Sequence, residues 1–571
     1  MSTHAPTVSG APHWTAAVGA ALAARVGWRA HRLAESDWWR AHTARVQHRM
    51  LRNLIEAAAG TEFGREHDFA RLASIQDDHS MLDAYRSAVP IADWYGFAPQ
   101  IARMREGGEP DVLWPGLVKA FAQTSGTTAG DKYIPVSDAM MRSNYRASLD
   151  IFAQMMNQGI SLPRLCAGRS LFLGGSSDLS FNEHGVATGD LSGIVSPLIR
   201  WPISAIYSPG PKIALMNDWP AKIEAMAQLT LEQDIRMISG MPSWAMVLMK
   251  RVLELARERG WRAERLLDIW PNLEIFVHGG VKYEPFRPRI SEVVTGDPAC
   301  DLNHRLELYP ASEGFIAMGD RAGEASMRLL SDIGNFYEFV PLETIDDDSP
   351  PAFACDAVET GQRYVAVMST CAGLWRYVLG DVVEFDEVPG GLDGRGGTGP
   401  CRLRIVGRHR HFINAFGENI IVEHIENAVA QAAAATGISV GEFTAAPVYP
   451  DATRRAGLEL VIEVDSVDRL AEPGGRADAP VVVAQGSNHG TPIGAFADAF
   501  DRAIKAQNVD YETKRTDDVG MAPPTVTVVT PGTFHRWMQS RGKLGGQHKC
   551  PRCANHREIV EAVGKAPGTR H

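Results

Sequence analysis

A hydroxyl-rich stretch in the first quarter of the chain contains the residue types that bind phosphate. It runs through Thr124, Ser125, Gly126, Thr127 and Thr128 and continues to Lys132. Glycine lets a backbone approach an anion closely, and hydroxyl groups and a lysine add hydrogen-bond donors and charge. The spacing differs from that of the Walker loop, so it predicts a nucleotide-binding loop of another kind. A polar surface turn is the alternative.

A second stretch places an aromatic residue and a carboxylate on either side of a predicted turn. An apolar run leads to Tyr309, and Ser312 and Glu313 follow. A tyrosine ring can stack on a purine, and Mg²⁺ prefers carboxylate and phosphate oxygens. The stretch could supply a nucleotide contact and a magnesium ligand, but taken alone it is more typical of an exposed turn.

A third stretch ends in a glycine followed by an aspartate. Asp381 follows Gly380 at the end of a strand-like run, where a carboxylate can accept both hydrogen bonds of a ribose diol. Gly407 and Arg408 come later, ahead of a helix-like segment. A single Gly-Asp pair indicates little, so the order of the three stretches is what matters.

Strand-like and helix-like segments alternate around these stretches. Short apolar runs at 170–173, 235–238 and 273–277 are typical of buried strands. Between them a helix is predicted to begin at Pro242, with Ser243 as its cap. The alternation predicts an α/β fold with much parallel sheet.

The later part of the chain contains two stretches rich in Gly and Pro. We predict a surface hairpin loop at 389–400 and a long loop at 472–492. After residue 406 the pattern becomes a compact α+β one, with strands predicted at 458–464 and 525–529 and a helix at 496–507. A domain boundary is therefore expected near 405–407.

Composition and charge exclude several classes of protein. The 571 residues carry a formal net charge of −11 and contain no long cationic run, so nucleic acid is not expected as a partner. No apolar segment near the N-terminus has the length of a spanning helix or the basic start of a secretory signal, so no membrane association is expected. Seven scattered cysteines do not suggest a disulfide scaffold. These features predict a cytoplasmic protein.

The hydroxyl-rich loop, the aromatic-to-Glu turn, the Gly-Asp and the Gly-Arg, in that order, resemble the adenylate-forming ligase superfamily. Within it, the chain is similar to the acyl-acid amido synthetases, the plant enzymes that conjugate auxin and jasmonate to amino acids and their bacterial relatives. The resemblance covers about 49–551, with Val-Pro-Ile at 89–91, Asn-Phe-Tyr-Glu-Phe-Val-Pro at 335–341, Trp-Arg-Tyr at 375–377 and Pro-Gly-Thr-Phe at 531–534.

The resemblance implies a function and a role for each stretch. The chain would use ATP and Mg²⁺ to convert a small carboxylic acid to an acyl-adenylate and pass the acyl group to an amine, in this family an amino acid. The loop Thr124 to Thr128 would hold phosphates, Tyr309 and Ser312 would lie against the nucleotide, Glu313 would bind Mg²⁺ and Asp381 the ribose. Arg408 would lie at a hinge, and Lys549 would be the catalytic lysine.

The implied architecture has two domains. Residues 1–405 would form a large N-terminal adenylation domain with mixed or parallel sheets and a β-barrel-like part, and 406–571 a smaller mobile α+β domain carrying Lys549. The acyl or acceptor pocket is expected around Gly174, Ser176, His278 and Gly279. For His278, a strand-end histidine satisfied by neighbouring backbone is the alternative.

Two other functions remain open at this point. An acyl-CoA ligase uses the same adenylation step and differs in its acceptor. A catalytically silent nucleotide sensor is the other, and the presence of Glu313, Asp381 and Lys549 argues against it.

A cluster near the C-terminus raises a separate question about metal binding. His548, Cys550, Cys553 and His556 suit zinc by residue type, but so short a segment has difficulty wrapping one ion tetrahedrally. Free thiols in a loop are the expected alternative, and a dithiol redox role is less favoured because no thioredoxin-like pattern surrounds the pair.

Overall fold

The fold is described from a computed structural model. It describes residues 12, 14–124, 132–174, 179–195, 201, 203–216, 219–280, 283, 286–409, 412–413, 420–450, 455–464, 481–485, 491–515, 520–540, 550 and 552–564.

Eighteen α-helices are found within these residues. They are α1 (Thr15–Ala34), α2 (Ser36–Ala58), α3 (Glu62–Glu66), α4 (Phe69–Ser74), α5 (Asp78–Ala88), α6 (Trp94–Glu106), α7 (Asp138–Asn157), α8 (Leu162–Cys166), α9 (Leu191–Val195), α10 (Pro211–Ala214), α11 (Trp219–Leu231), α12 (Pro242–Glu258), α13 (Arg287–Thr295), α14 (Val422–Thr436), α15 (Pro492–Gln507), α16 (Val509–Arg515), α17 (Thr533–Ser540) and α18 (Glu558–Gly564).

The strands within the same residues number twenty-one. They are β1 (Ala120–Thr124), β2 (Lys132–Val136), β3 (Arg169–Phe172), β4 (Ser180–Phe181), β5 (Ala187–Gly189), β6 (Tyr207–Ser208), β7 (Ile235–Gly240), β8 (Ile275–Gly279), β9 (Arg305–Ala311), β10 (Gly314–Gly319), β11 (Met327–Leu329), β12 (Phe336–Pro341), β13 (Arg363–Ser369), β14 (Tyr377–Glu387), β15 (Arg402–Arg408), β16 (Phe412–Ile413), β17 (Ile420–Ile421), β18 (Val440–Val448), β19 (Gly457–Val464), β20 (Val481–Gln485) and β21 (Thr525–Val529).

One mixed sheet of eleven strands forms the centre of the molecule, in the order β12-β13-β14-β15-β11-β10-β9-β8-β7-β3-β6. From β6 to β9 neighbouring strands run parallel. From β9 to β12 they run antiparallel. The fold is therefore α/β with a mixed sheet, as predicted. Its parallel part alternates with helices in the chain, whereas its antiparallel part is built from hairpins.

A second sheet, with the order β2-β1-β5-β4, lies beside the antiparallel part of the large sheet. The same hydrophobic cluster contains Phe121 of β1, Ile134 of β2, Tyr309 of β9 and Phe339 of β12. Both sheets therefore contribute side chains to one hydrophobic cluster, which joins the small sheet to the antiparallel part of the large one.

The C-terminal part of the chain forms its own four-stranded sheet, in the order β18-β19-β21-β20. α14 and α15 pack on each other, and their apolar residues continue into a cluster that also contains α12. The predicted division between 405 and 406 falls inside β15 and stays a prediction.

The structure confirms most of the predicted elements and corrects two. The 389–400 stretch connects the antiparallel strands β14 and β15, and β21 has the predicted bounds. The predicted cap at Ser243 is wrong, because α12 begins at Pro242 with Met241 as its N-cap residue. The 472–492 stretch is not all loop, since it contains β20, which pairs with β21. Among the described helices, we find none both long and apolar enough to cross a bilayer.

Candidate active site

The ends of β1 and β2 flank the predicted phosphate loop. These strands are antiparallel, and Thr124 pairs with Lys132 across the ladder. Lys132 therefore lies at the base of the loop, opposite its first hydroxyl residue. Ser125, Gly126, Thr127 and Thr128 lie outside the described residues, as do Ser176 and Lys549, and their predicted roles stay predictions.

A direct hydrogen bond joins two of the predicted nucleotide residues. The Tyr309 hydroxyl donates to Asp381 Oδ2 at 2.6 Å, and the two residues are 3% and 6% exposed. Tyr309 lies on β9 and Asp381 on β14, with β10, β11 and β15 between them in the sheet. The antiparallel part of the sheet must curl strongly for the two side chains to meet, which agrees with the expected barrel-like part.

Arg408, the predicted hinge residue, is paired with Asp381 along the backbone. Asp381 on β14 lies opposite Arg408 on β15 in the antiparallel ladder. Just beyond, the backbone N–H of His409 donates to the Gly380 carbonyl at 3.0 Å. The structure thus brings Tyr309, Asp381 and the backbone of Arg408 together from three distant segments.

The predicted magnesium ligand lies in the turn between β9 and β10. Glu313 is 8% exposed, and Gly314 after it has a φ of +146°. A Cβ atom on Gly314 would lie 2.8 Å from Nδ2 of Asn335, so only glycine lets the turn pack against this residue. The exposed-turn alternative is wrong, because the turn is closely packed and its carboxylate is buried.

Arg376, the centre of the Trp-Arg-Tyr segment, connects three of the segments that carry the family resemblance. Its guanidinium donates to Glu338 Oε2 at 2.9 Å and to the Val89 carbonyl at 2.9 Å. Arg86 donates to the other oxygen of Glu338 at 2.8 Å, and Glu338 is 1% exposed. The Arg376 side chain therefore has a structural role, since all of these contacts are made to other parts of the protein.

The residues expected in the acyl pocket occupy the ends of β3 and β8. Gly174 comes shortly after β3, and Gly279 is the last residue of β8. A Cβ on Gly279 would lie 2.4 Å from the Leu308 carbonyl oxygen, so close packing of β8 on β9 requires a glycine there. A pocket role for these residues stays a prediction.

His278 is enclosed and uncharged. Its ring stacks on Tyr283 with centroids 4.6 Å apart, and it is 1% exposed. Neither ring nitrogen has a hydrogen-bond partner in the described part of the chain, so the backbone-satisfied alternative is not seen there. Burial, assisted by the charge of Arg305, lowers the pKa of His278 to about 3.

Sequence analysis did not single out a second Gly-Asp pair, Gly189-Asp190. Asp190 directly follows β5, which runs parallel to β1 with Gly189 opposite Ala122. It therefore lies at the sheet edge where the phosphate loop begins. Lys222 of α11 was also missed, and it is 1% exposed. The signals that point to them are the same Gly-Asp dipeptide as at 380–381, and a lysine within an apolar helix.

The two cysteines near the C-terminus lie in separate hydrophobic clusters. Cys550 packs with Val461 and Phe534, whereas Cys553 belongs to the large cluster around α15. Burial raises the pKa of each thiol to about 12. Neither cysteine forms a disulfide, and no cluster of three or more metal-ligating side chains occurs among the described residues.

Comparison with known families agrees with the order of these segments. The GH3 family N-terminal domain matches residues 37–197 and 182–299, the central domain 328–391, and the C-terminal domain 423–558. The chain belongs to the GH3 family. The central match contains both Arg376 and Asp381, and the C-terminal match contains Lys549.

Curated GH3 relatives align with nearly the whole chain. The probable indole-3-acetic acid-amido synthetase GH3.2 of Oryza sativa subsp. japonica is 24% identical over 600 residues, covering 92% of this chain and 91% of its own. The indole-3-acetic acid-amido synthetase GH3.8 of Oryza sativa subsp. indica is 23% identical over 597 residues, with the same coverage.

Solved structures share the fold. The acyl acid amido synthetase AtGH3.15 in complex with 2,4-DB has a TM-score of 0.54 and 16% identity, covering 92% of this chain and 93% of its own. A 2-hydroxyisobutyryl-CoA ligase in complex with 2-HIB-AMP and CoA has a TM-score of 0.50 and 17% identity, covering 92% of both chains. The fold therefore occurs both in an amido synthetase and in a CoA ligase.

Proposed function

We propose that this GH3 chain is an ATP-dependent amido synthetase, which adenylates a small carboxylic acid and transfers the acyl group to an amine. One observation carries the proposal: Tyr309, Asp381 and Arg408, far apart in sequence, meet through a 2.6 Å hydrogen bond and a cross-strand pair. Family membership indicates the class of enzyme, and the convergence of these residues indicates where the nucleotide would bind.

The chemistry explains why such a site is needed. A carboxylate is a poor acyl donor, because its leaving group would be oxide. When its oxygen attacks the α-phosphate of ATP, pyrophosphate departs and an acyl-adenylate forms, from which AMP leaves readily. Negative charge concentrates on phosphate oxygens in the transition state, so preorganised donors and cations aimed there lower the barrier.

Each group in the site has a task in this step. Asp381, held by Tyr309, accepts hydrogen bonds from the ribose, and the Tyr309 ring borders the purine. The hydroxyl-rich loop from Thr124 holds the phosphates with Lys132 at its base, and Lys549 adds positive charge where pyrophosphate leaves. What supports this assignment is the buried Asp381 carboxylate, which is hydrogen-bonded to Tyr309, and the pairing of Thr124 with Lys132 at the start of the loop.

Mg²⁺ fits the site through Glu313. This ion binds one or two carboxylates together with substrate phosphates, and Glu313 offers a buried carboxylate in the β9–β10 turn. When bound, the ion would neutralise phosphate charge. Ser312, beside Glu313 in the same turn, is proposed to contact the nucleotide.

We propose an aryl or indolyl acid as the acyl substrate and an amino acid as the acceptor. The support is that the curated relatives are named indole-3-acetic acid-amido synthetases. Gly174, Ser176, His278 and Gly279 would border the acid. An acyl-CoA ligase is the second candidate, since the CoA ligase described above shares the fold.

The cellular setting and the domain motion are part of the same proposal. None of the seven cysteines, all within the described residues, forms a disulfide, which is typical of a reducing compartment, and we propose the cytoplasm. Residues 406–571 would rotate about Arg408 between adenylation and acyl transfer, so that one cleft serves two reactions in turn.

The test is a pyrophosphate-exchange screen. Purified protein with ATP, Mg²⁺ and aryl, indolyl or fatty acids should exchange labelled pyrophosphate with at least one acid, and hydroxylamine should trap the product as a hydroxamate. Amino acids or CoA are then added, and the acceptor that accelerates AMP formation identifies the enzyme. Formation of a thioester but no amide would identify a CoA ligase. Absence of pyrophosphate exchange with every acid would contradict both functions.

A further inference from the structure

A group of four charged side chains, here named the Asp190 cluster, lies where the N- and C-terminal parts of the chain meet. Its members are Asp190 after β5, Lys222 on α11, and Asp510 and Lys514 on α16. The charges of the other three all act on the Asp190 carboxylate. None of the residue roles proposed above uses this cluster.

Asp190 lies at the end of β5, beside the strand that leads into the predicted phosphate loop. Because β5 and β1 are parallel and Gly189 pairs with Ala122, Asp190 stands level with Gln123, one residue before the phosphate loop. Leu191 and Ile194, which follow it, pack on the cluster that contains Tyr309. The helix that directly follows Asp190 is therefore anchored on the same hydrophobic cluster that contains Tyr309.

Lys222 connects this position to the end of β3. Its Nζ donates to the Gly174 carbonyl at 3.0 Å and to the Ala214 carbonyl at 2.7 Å. Burial lowers the pKa of Lys222 to about 8, against the opposing effect of Asp190. Lys222 thus holds the segment after β3, where the acyl group is expected, and places a positive charge near Asp190.

The helix α16 covers the cluster from the C-terminal side. The Lys514 side chain is 3% exposed and lies 3.9 Å from Asp510, with its Nζ 5.6 Å from the Trp244 ring centroid. Asp510 is half exposed. A carboxylate and an ammonium group therefore approach Asp190 from a part of the chain proposed to move during the reaction.

Asp190 itself forms no hydrogen bond or close ion pair through its side chain with any residue that the structure describes. Burial, then the like charge of Asp510, raise the pKa of Asp190 to about 6, while Lys222 and Lys514 oppose the increase. Such a carboxylate exchanges protons near neutral pH, which suits a general base.

Charge decides which substrate this carboxylate suits. The acid and ATP are anions that a carboxylate repels, and the thiol of CoA is neutral. An amine acceptor arrives as an ammonium ion and has to lose a proton before its nitrogen can attack. Within the proposed reaction, only the amine therefore has both the charge and the proton that Asp190 can use.

We propose that Asp190 binds the ammonium group of the amine acceptor and takes its proton, an inference that rests on the proposed amido synthetase function. One proton passes from nitrogen to Asp190 Oδ. The neutral nitrogen then forms the C–N bond as the bond from the acyl carbon to the AMP oxygen breaks, and the second proton leaves with the AMP phosphate. Lys222 is a positioning residue in this scheme.

The test separates acceptors that need deprotonation from those that do not. Asp190→Asn should leave acid-dependent pyrophosphate exchange unchanged and lower kcat/KM for the amine by about 10²-fold or more. Hydroxamate formation should persist, because hydroxylamine is already uncharged at neutral pH. Asp190→Glu should recover part of the amide activity, and Asp37→Asn, a fully exposed carboxylate on α2, is the matched control.

The pH dependence of kcat/KM for the amine separates a proton-accepting role of Asp190 from a purely structural one. The wild-type kcat/KM for the amine should rise with pH through about 6, as Asp190 loses its proton. Asp510→Asn removes the like charge that raises this pKa, so the acid limb should move to lower pH.

The outcomes separate this inference from the function it rests on. Amide formation unchanged in Asp190→Asn, or amide and hydroxamate lowered equally, would overturn the role of Asp190 while leaving the ligase intact. Wild-type protein without pyrophosphate exchange would overturn the proposed function and this inference together.

Discussion

Two groups of charged residues near the site differ in how their charges are satisfied. On and beside β14, Arg376 is hydrogen-bonded to Glu338 and Tyr309 to Asp381, all at 6% exposure or less. In the Asp190 cluster, charges act on Asp190 without a hydrogen bond to it from the described residues. The β14 pairs stabilise one geometry, whereas a carboxylate near cations but not bonded to them retains the capacity to bind a ligand.

The largest expected effect concerns the buried β14 pair. Arg376→Ala should lower the free energy of unfolding by about 3 kcal/mol, because Glu338 is left buried without one of its two arginines. Urea denaturation measures this loss. Arg103→Ala is the matched control, since its pairs with Glu62 and Glu109 are exposed to solvent and their loss should cost much less stability. Equal losses of unfolding free energy in the two variants would contradict the expected difference between buried and exposed pairs.

The proposed catalytic lysine, Lys549, should affect the reaction rate and not the stability, the reverse of Arg376. Lys549→Ala should lower the rate of pyrophosphate exchange by about 10²–10³-fold, as is typical when one preorganised group is removed. Its thermal midpoint should be unchanged, because a role in the reaction does not require a role in folding. Lys543→Ala, from the same stretch of sequence, is the control, and normal exchange in Lys549→Ala would refute the assignment.

The Tyr309–Asp381 bond should have a smaller effect on nucleotide binding. Tyr309→Phe keeps the ring and removes a hydrogen bond to a carboxylate, so KM for ATP should rise about tenfold with little change in kcat. Tyr337→Phe is the matched control, since its equally buried hydroxyl donates to the Phe315 carbonyl at 2.7 Å. That variant should lose stability and keep its KM, and a similar KM increase in both would show that the Tyr309 effect is not local.

The smallest expected effect comes from a buried histidine that stands outside both groups. The folded-state pKa of His278 is about 3, below the ordinary 6.5, so below pH 6.5 the unfolded chain binds a proton that the folded one does not. The free energy of unfolding should therefore decrease as the pH is lowered, by about 1 kcal/mol from this residue between pH 6.5 and 5.5. His278→Phe should show a flatter profile in urea denaturation, and His184→Phe, half exposed, should not.

The comparison also shows which parts of the site could be predicted from sequence. The hydroxyl-rich loop, Glu313 and Asp381 could be predicted as site residues because residue types at fixed positions along the chain suggest their chemistry locally. Asp190 was not found, because its dipeptide becomes informative only when β5 pairs with β1. The Ser243 cap failed because Pro242 occupies the first turn of its helix, and β20 was missed within a stretch rich in turn residues.

By itself, the sequence determined the α/β class, most of the strands, and the order of segments that identifies a GH3 chain. These features depend on local periodicity and on residue types that one stretch of chain carries. Only the tertiary structure decided that the sheet curls until Tyr309 reaches Asp381, that Arg376 stabilises the fold, and that three other charged side chains act on Asp190. Those facts depend on strand pairing and burial between distant segments, and no local pattern of residues contains them.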